Sequence, residues 1–296
     1  MAGSPLVYDD LVVVNPGAQT PAANGRALEK AKTIATDAII FDLEDAVAPD
    51  AKESARVNAV AAVRSGAYGS RELTVRCNGL DTPWGVDDLA AVAQTPATAV
   101  VIPKVSSAKY LAQVADRLDA AGARADMKIW AMVETPTAIF DMRAIAAFWR
   151  VDALVMGTND LARELRASLD APDRYPLLPH LGTALLAARE AGKTILDGVF
   201  NDVKDLAGFR AECVQGFELG FDGKTLIHPD QVDICNEVWS PSEAEVEHAW
   251  RVIAAFEEAT SAGRGVITID GKMIESLHVA NAQRVLALAH AIAELD

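Results

Sequence analysis

Short apolar runs, each of strand length, recur along the chain at 11–15 (LVVVN), 38–44 (AIIFDLE), 73–78 (LTVRCN), 99–104 (AVVIPK), 128–134 (KIWAMVE), 153–158 (ALVMGT), 194–199 (TILDGV) and 216–221 (GFELGF). Between them lie amphipathic or Ala-rich stretches long enough for helices, such as 51–65, 106–122 and 137–149. The alternation predicts a parallel β/α architecture and carries no signal for antiparallel hairpins. Eight strands are the closure number of a (β/α)8 TIM barrel, which right-handed crossovers make the simplest arrangement. An open doubly wound sheet is the competing arrangement. It is disfavoured because the stretch after the first run, PGAQTPAANG, has the wrong spacing for a GxGxxG dinucleotide turn.

The pattern changes near residue 240. Residues 240–265 read as a helix ended by Gly-rich chain, and 266–295 as a short extended piece followed by another helix. The expected organisation is therefore a barrel over residues 1–240 with a C-terminal helical lid extension over 241–296.

Composition narrows the function classes. The 296 residues are 51% apolar with a formal net charge of −15, an acidic balance that argues against nucleic-acid binding. Apolar residues never form an uninterrupted block of membrane-spanning length, and Asp9 and Asp10 precede the first apolar run, so neither a membrane span nor a secretory leader is expected. Three widely spaced cysteines, Cys77, Cys213 and Cys235, exclude a CxxC motif and a disulfide framework, which fits a reducing, cytoplasmic setting.

Strands of a closed parallel barrel are buried on both faces, so charged residues should gather where the chain leaves them, at their C-terminal ends. Glu44 and Asp45 follow the second run, Arg76 interrupts the third, Lys104 and Glu134 end the fourth and fifth, and Asp160 follows the sixth. Asp222, Lys224 and His228 follow the eighth. Glu134 and Asp160 have no His or Cys beside them, and all-oxygen ligation by one or two carboxylates suits Mg²⁺. The dispersed histidines form no zinc-type pair. Arg76 either pairs with Glu44 or grips an anionic substrate oxygen, for which its planar fork is suited. Asp42 shares strand parity with Glu44, one step deeper, as structural support.

The segments IIFDLEDAVAPDAKESAR (39–56), TVRCNGLDTPWGVDDL (74–89), VVIPKVSS (100–107), MVETPTAI (132–139), LVMGTNDLA (154–162) and LGFDGKTLIHPDQV (219–232) resemble, in order, the citrate lyase β-subunit-like branch of the HpcH/HpaI aldolase superfamily. The sugar-acid aldolase branch carries a His where this chain has Asp45, so the likeness is to the branch acting on acyl-thioesters. The resemblance implies a TIM barrel, Mg²⁺ (or Mn²⁺) as cofactor, and carbon–carbon cleavage or formation in a 3-hydroxyacyl-CoA such as malyl-CoA, β-methylmalyl-CoA or citramalyl-CoA. Coenzyme A would enter as part of the substrate, with a 2-oxo acid and acetyl-CoA or propionyl-CoA as products. By the same likeness, Glu134 and Asp160 would ligate the metal, and Arg76 would hold a carboxylate or thioester enolate. Glu44 and Asp45 would organise Arg76 and metal-bound water. Arg26 and Lys30 are candidates for the CoA phosphates. Glu275 occupies a slot that holds Asp in many members, on a lid that packs over a neighbouring subunit's site, which implies a homotrimer or homohexamer. Three other activities stay open: a malyl-CoA thioesterase, a citrate lyase β subunit acting on a carrier-protein thioester, and a non-catalytic CoA-ester-binding protein.

Overall fold

The computed structural model describes residues 17–169, 171–261 and 266–295. These fall into two compact units, the larger covering residues 14–236 and the smaller containing 237–296.

In the larger unit the strands β1 (Gly17–Pro21), β2 (Ala38–Asp42), β3 (Glu72–Arg76), β4 (Ala99–Ile102), β5 (Lys128–Val133), β6 (Val151–Met156), β7 (Thr194–Asp197) and β8 (Gly223–Leu226) pair in chain order. The sheet closes where β1 runs parallel to β8 through Gly17–Thr225 and Ala18–Leu226, so the expected barrel is present. Helices α1 (Gly25–Ala31), α2 (Lys52–Arg64), α3 (Gly85–Ala93), α4 (Ala108–Ala120), α5 (Pro136–Ala146), α6 (Thr158–Leu165), α7 (Leu178–Ala191) and α8 (Leu206–Leu219) alternate with the strands. A shorter helix, α9 (Val232–Trp239), follows β8.

The strand bodies are apolar because both faces are covered; every residue of β2 and β4 is buried. Alternate residues fill the barrel: Ala38 and Ile40, Ala99 and Val101, Trp130 and Met132, Ala153 and Val155 form one cluster with Leu196. Continuing the same parity toward the C-terminal ends reaches Asp42, Glu134 and Gly157. The residues that plug the barrel thus set the positions of the groups at its mouth.

Two sequence expectations are corrected. The run at 216–221 is not the eighth strand; residues 216–219 end α8, whose buried Phe209, Cys213 and Gly216 follow helical spacing. The true β8 contains Lys224, whose charge hid the strand, and which is fully buried because Asp197 and Glu212 accept from its Nζ at 2.9 and 2.7 Å. The run at 11–15 lies outside the described residues; the first barrel strand is Gly17–Pro21.

The smaller unit contains α10 (Glu243–Ser261), a hairpin of β9 (Ile267–Ile269) and β10 (Lys272–Ile274), and α11 (Ser276–Leu295). Ala249, Val252, Ile274 and Ala282 form its core. The antiparallel hairpin was not expected from the sequence. Its signal is the Asp270–Gly271 pair, whose φ values of +50° and +77° suit the tight turn between strands of right-handed twist. No described helix is long and apolar enough to cross a membrane.

Candidate active site

Asp42 organises one side of the barrel mouth. It is fully buried at the end of β2, and its two oxygens accept from Arg76 Nε and Nη2 at 2.7 and 2.6 Å. The same carboxylate accepts the backbone N–H groups of Glu44 at 2.8 Å and Ala46 at 3.0 Å, so it fixes the turn after β2 together with the guanidinium. The remaining Arg76 nitrogen lies 3.2 Å from Glu44 Oε2 and 4.0 Å from Asp45 Oδ2. Burial alone would push the Arg76 pKa down, but the facing carboxylates, Asp42 foremost, hold it above its ordinary value and the group stays charged. The pairing of Arg76 with Glu44 expected from the sequence is present. The bidentate clamp of the guanidinium is Asp42, and it still lines a cavity.

That cavity, about 290 Å³ in volume, is walled by Asp45, Arg76, Glu134, Gly157, Asn159 and Asp160 among others. Glu134 is 2% exposed just beyond β5. Burial, reinforced by the neighbouring Glu44 and Asp160 charges, pushes its carboxyl up to about 7, against the lowering effect of a hydrogen bond from the Lys104 backbone N–H at 2.5 Å. Asp160 sits in the first turn of α6, where the helix dipole favours a carboxylate, and its Oδ1 lies 2.5 Å from Arg163 Nη2. Lys104 Nζ donates to Glu44 Oε1 at 2.8 Å. Burial raises the Glu44 carboxyl, while Arg76 and Lys104 pull it back.

The residues fit a hard cation. Glu134 and Asp160 interact electrostatically across the cavity, and a buried acid titrating near 7 marks negative charge in search of a counter-charge. Gly157 leaves the necessary space: a Cβ there would lie 2.4 Å from Glu134 Cβ and 2.5 Å from its Oε2. The described residues hold no cluster of three or more His, Cys, Asp or Glu ligands. A two-carboxylate site completed by water and substrate oxygens is the usual Mg²⁺ arrangement.

Of the sequence candidates, Arg76, Asp45, Glu134 and Asp160 line one cavity, and Glu44 touches it through Arg76. Arg26 and Lys30 lie exposed on α1, which Asn24 caps, and do not line it. Glu275 belongs to the smaller unit, between β10 and α11, where its backbone N–H donates to His278 Nδ1 at 3.0 Å. The trio expected after the eighth run does not converge on the cavity. Asp222 precedes β8 and pairs with Arg189, His228 caps the following turn, and Lys224 is committed to Asp197 and Glu212.

Residues that sequence reasoning left out of the site are Gly157, Asn159, Asn201 and Thr225. The amides of Asn159 and Asn201 exchange two hydrogen bonds, at 3.0 and 2.8 Å, linking the first turn of α6 to the loop after β7. Gly157 and Asn159 carried a signal in the GTND run; Asn201 carried none.

The chain matches known proteins along nearly all of its length. A family model described as HpcH/HpaI aldolase/citrate lyase matches residues 17–229, and one described as C-C bond lyase of the TIM-barrel fold matches residues 180–293. A (3S)-malyl-CoA thioesterase of Cereibacter sphaeroides (strain ATCC 17025 / ATH 2.4.3) is 52% identical over 273 residues, covering 92% of this chain and 93% of that one. The citrate lyase subunit beta of Escherichia coli (strain K12) is 36% identical over 275 residues, covering 91% of each. Among solved structures, protein CitE from Mycobacterium tuberculosis in complex with magnesium, acetoacetate and coenzyme A superposes with a TM-score of 0.77 at 30% identity, covering 95% of this chain and all of that one. With its closed barrel and its acidic, arginine-bearing mouth, the chain belongs to the HpcH/HpaI aldolase/citrate lyase family of enzymes.

Proposed function

We propose that this protein is a Mg²⁺-dependent carbon–carbon lyase acting on a malyl-CoA-type 3-hydroxyacyl-CoA thioester, with malyl-CoA, β-methylmalyl-CoA and citramalyl-CoA as candidate substrates. The carrying observation is one cavity that joins two carboxylates, the buried Glu134 and the partly buried Asp160, to a buried guanidinium clamped by Asp42. Support comes from the related structure complexed with magnesium, acetoacetate and coenzyme A, which pairs the metal with an oxo acid and the thioester carrier.

Glu134 and Asp160 would hold Mg²⁺, or Mn²⁺ in its place, which when bound polarises the hydroxyl and carboxylate oxygens of the acid end of the substrate. Asp45, on the cavity wall with its side chain 62% exposed, takes the hydroxyl proton through a water molecule. The bond between the carbinol carbon and the thioester α-carbon then breaks, and its electron pair passes to the thioester as an enolate. Arg76, fixed by two carboxylates before substrate arrives, faces that developing charge at no reorganisation cost. A proton returned to the α-carbon gives acetyl-CoA or propionyl-CoA beside the 2-oxo acid. Glu275 of an adjacent subunit, in a homotrimer or homohexamer, is the second candidate for this proton transfer. Arg26 and Lys30 are the proposed contacts for CoA phosphates, and the cytoplasm is the proposed compartment.

A second reading, hydrolysis of the same thioester, is favoured by the 52% identity to a (3S)-malyl-CoA thioesterase. Water then adds to the thioester carbonyl, and CoA leaves as the thiol. Incubating the three thioesters with the protein and Mg²⁺, followed by mass spectrometry, separates the outcomes. A 2-oxo acid with a shorter acyl-CoA supports the lyase, and the intact hydroxy acid with free CoA supports hydrolysis. Turnover of a carrier-protein thioester alone would transfer the assignment to a citrate lyase β-type role. No product from any of them would overturn the enzymatic reading in favour of CoA-ester binding alone.

A further inference from the structure

Lys104 follows Pro103 at the end of β4 with a φ of +49°, in the left-handed region that costs a residue with a Cβ. Among the other left-handed non-glycine residues, Arg166 ends α6, Asp270 turns the β9–β10 hairpin, and Asp173 and Arg174 lie in the short Pro172–Arg174 turn ahead of α7. Lys104 ends no helix and turns no hairpin. Strain of this kind persists only where surrounding contacts hold it. Here its backbone N–H donates to Glu134 Oε1 at 2.5 Å, and its Nζ donates to Glu44 Oε1 at 2.8 Å.

We infer that the left-handed backbone of Lys104 is a positioning device for Glu134, tying down Oε1 so that Oε2, on the Gly157 side, is aimed at a divalent cation. The inference rests on the reading of Glu134 as a metal ligand. An extended or right-handed conformation at 104 would rotate the N–H away from Glu134 and release the carboxylate to other rotamers. The side chain does a separate job. Its ammonium neutralises Glu44, the carboxylate that also faces Arg76, and leaves Arg76 anchored to Asp42.

The two jobs separate by substitution, with MgCl₂ alone as the calorimetric titrant and thermal melting to establish folding. Lys104→Gly keeps the N–H and accepts φ above zero freely, so Mg²⁺ affinity stays within about threefold of wild type and the melting temperature rises. Lys104→Met keeps the N–H and removes a positive charge near the site, so Mg²⁺ binds equally well or about threefold tighter. Lys104→Val resists the left-handed region because its Cβ is branched, and weakens Mg²⁺ about tenfold or more. Val binding as tightly as wild type, or Met binding about tenfold more weakly, overturns the inference. Should Lys104→Val fail to melt cooperatively, Lys104→Gly decides alone, because a tenfold loss there would mean that the side chain, not the backbone, serves the metal. Glu134→Gln in the same titration separates the two levels. Wild-type affinity in that variant removes the ligand assignment itself, whereas lost affinity there with an unaffected Lys104→Val removes only the role of Lys104.

Discussion

Lowering the pH should release Mg²⁺ in a range where ordinary carboxylates are indifferent. Glu134 is held at about 7 by burial and by the Glu44 and Asp160 charges, and a cation must displace its proton to bind. At pH 8 about nine-tenths of such a carboxyl is ionised and at pH 6 about one-eleventh, so apparent affinity falls about tenfold, or about 1.4 kcal/mol. A glutamate with its usual pKa would change by only a few per cent over the same interval. The sign for metal-free stability is opposite. A carboxyl raised from 4.5 to about 7 holds its proton more tightly in the folded state, so stability from this group falls as pH rises between those values. The ceiling is about 3 kcal/mol. Calorimetric Mg²⁺ titrations at pH 6, 7 and 8 and constant ionic strength give the first number. Urea unfolding in EDTA at pH 5 and 7.5, wild type against Glu134→Gln, gives the second. Equal Mg²⁺ affinity at pH 6 and 8, within twofold, would refute the reasoning.

Gly157 has a backbone that alanine accepts, with φ −95°, so Gly157→Ala acts through its Cβ on Glu134, 2.4 Å away; about tenfold weaker Mg²⁺ binding by calorimetry and a loss of about 1–3 kcal/mol in urea unfolding are expected. Arg76→Lys keeps the charge but cannot make the two-point contact with Asp42, and kcat/KM on the preferred thioester should fall about 100-fold. Unchanged kinetics would remove Arg76 from the mechanism. Asp197→Asn leaves Lys224 and Arg174 to share Glu212 alone, one buried positive charge in excess, and should cost about 3 kcal/mol by chemical denaturation, with Mg²⁺ affinity unchanged. Because the Asp197 carboxyl is held below its ordinary range despite burial, its contribution is present above that range and is lost as pH falls through the lowered value.

How far the sequence could be read depended on whether a residue's partner was local. Glu134 was legible because a buried run ends in an acid on the parity that fills the barrel. β8 was not, because a strand containing a lysine reads as surface until Asp197 and Glu212, 27 and 12 residues away, are known to neutralise it. Asp42 was read correctly as support, yet its clamp on Arg76 joins residues 34 apart. The β9–β10 hairpin is marked in principle by Asp270–Gly271, but its flanking strands of three residues each are too short to show an alternation. Nothing local announces a lysine in the left-handed region at 104, or an amide pair between Asn159 and Asn201.

Two buried charge clusters at strand ends show why acidity alone does not mark a site. After β7, Asp197 meets Lys224 at 2.9 Å and Arg174 at 2.8 Å, and Glu212 meets the same two cations at 2.7 and 3.5 Å. Charges balance within the protein, and despite full burial the Asp197 carboxyl is pulled below its ordinary range. At the mouth, Arg76 is shared between Asp42 and Glu44, and Lys104 Nζ is turned to Glu44. Among the described residues no side-chain cation donates to Glu134, whose hydrogen bond comes from a backbone N–H, and its carboxyl is pushed up to about 7. Asp197 and Glu134 are both buried at strand ends, but Glu134 follows β5 on the parity that fills the barrel, whereas Asp197 ends β7 on the parity opposite to the barrel-filling Leu196. They also differ in their counter-charges. At Asp197 two cations hydrogen-bond or pair directly with the acid, which is a structural member; at Glu134, on the cavity wall beside Gly157, no side-chain cation hydrogen-bonds it among the described residues, and that is the setting the proposed Mg²⁺ role needs.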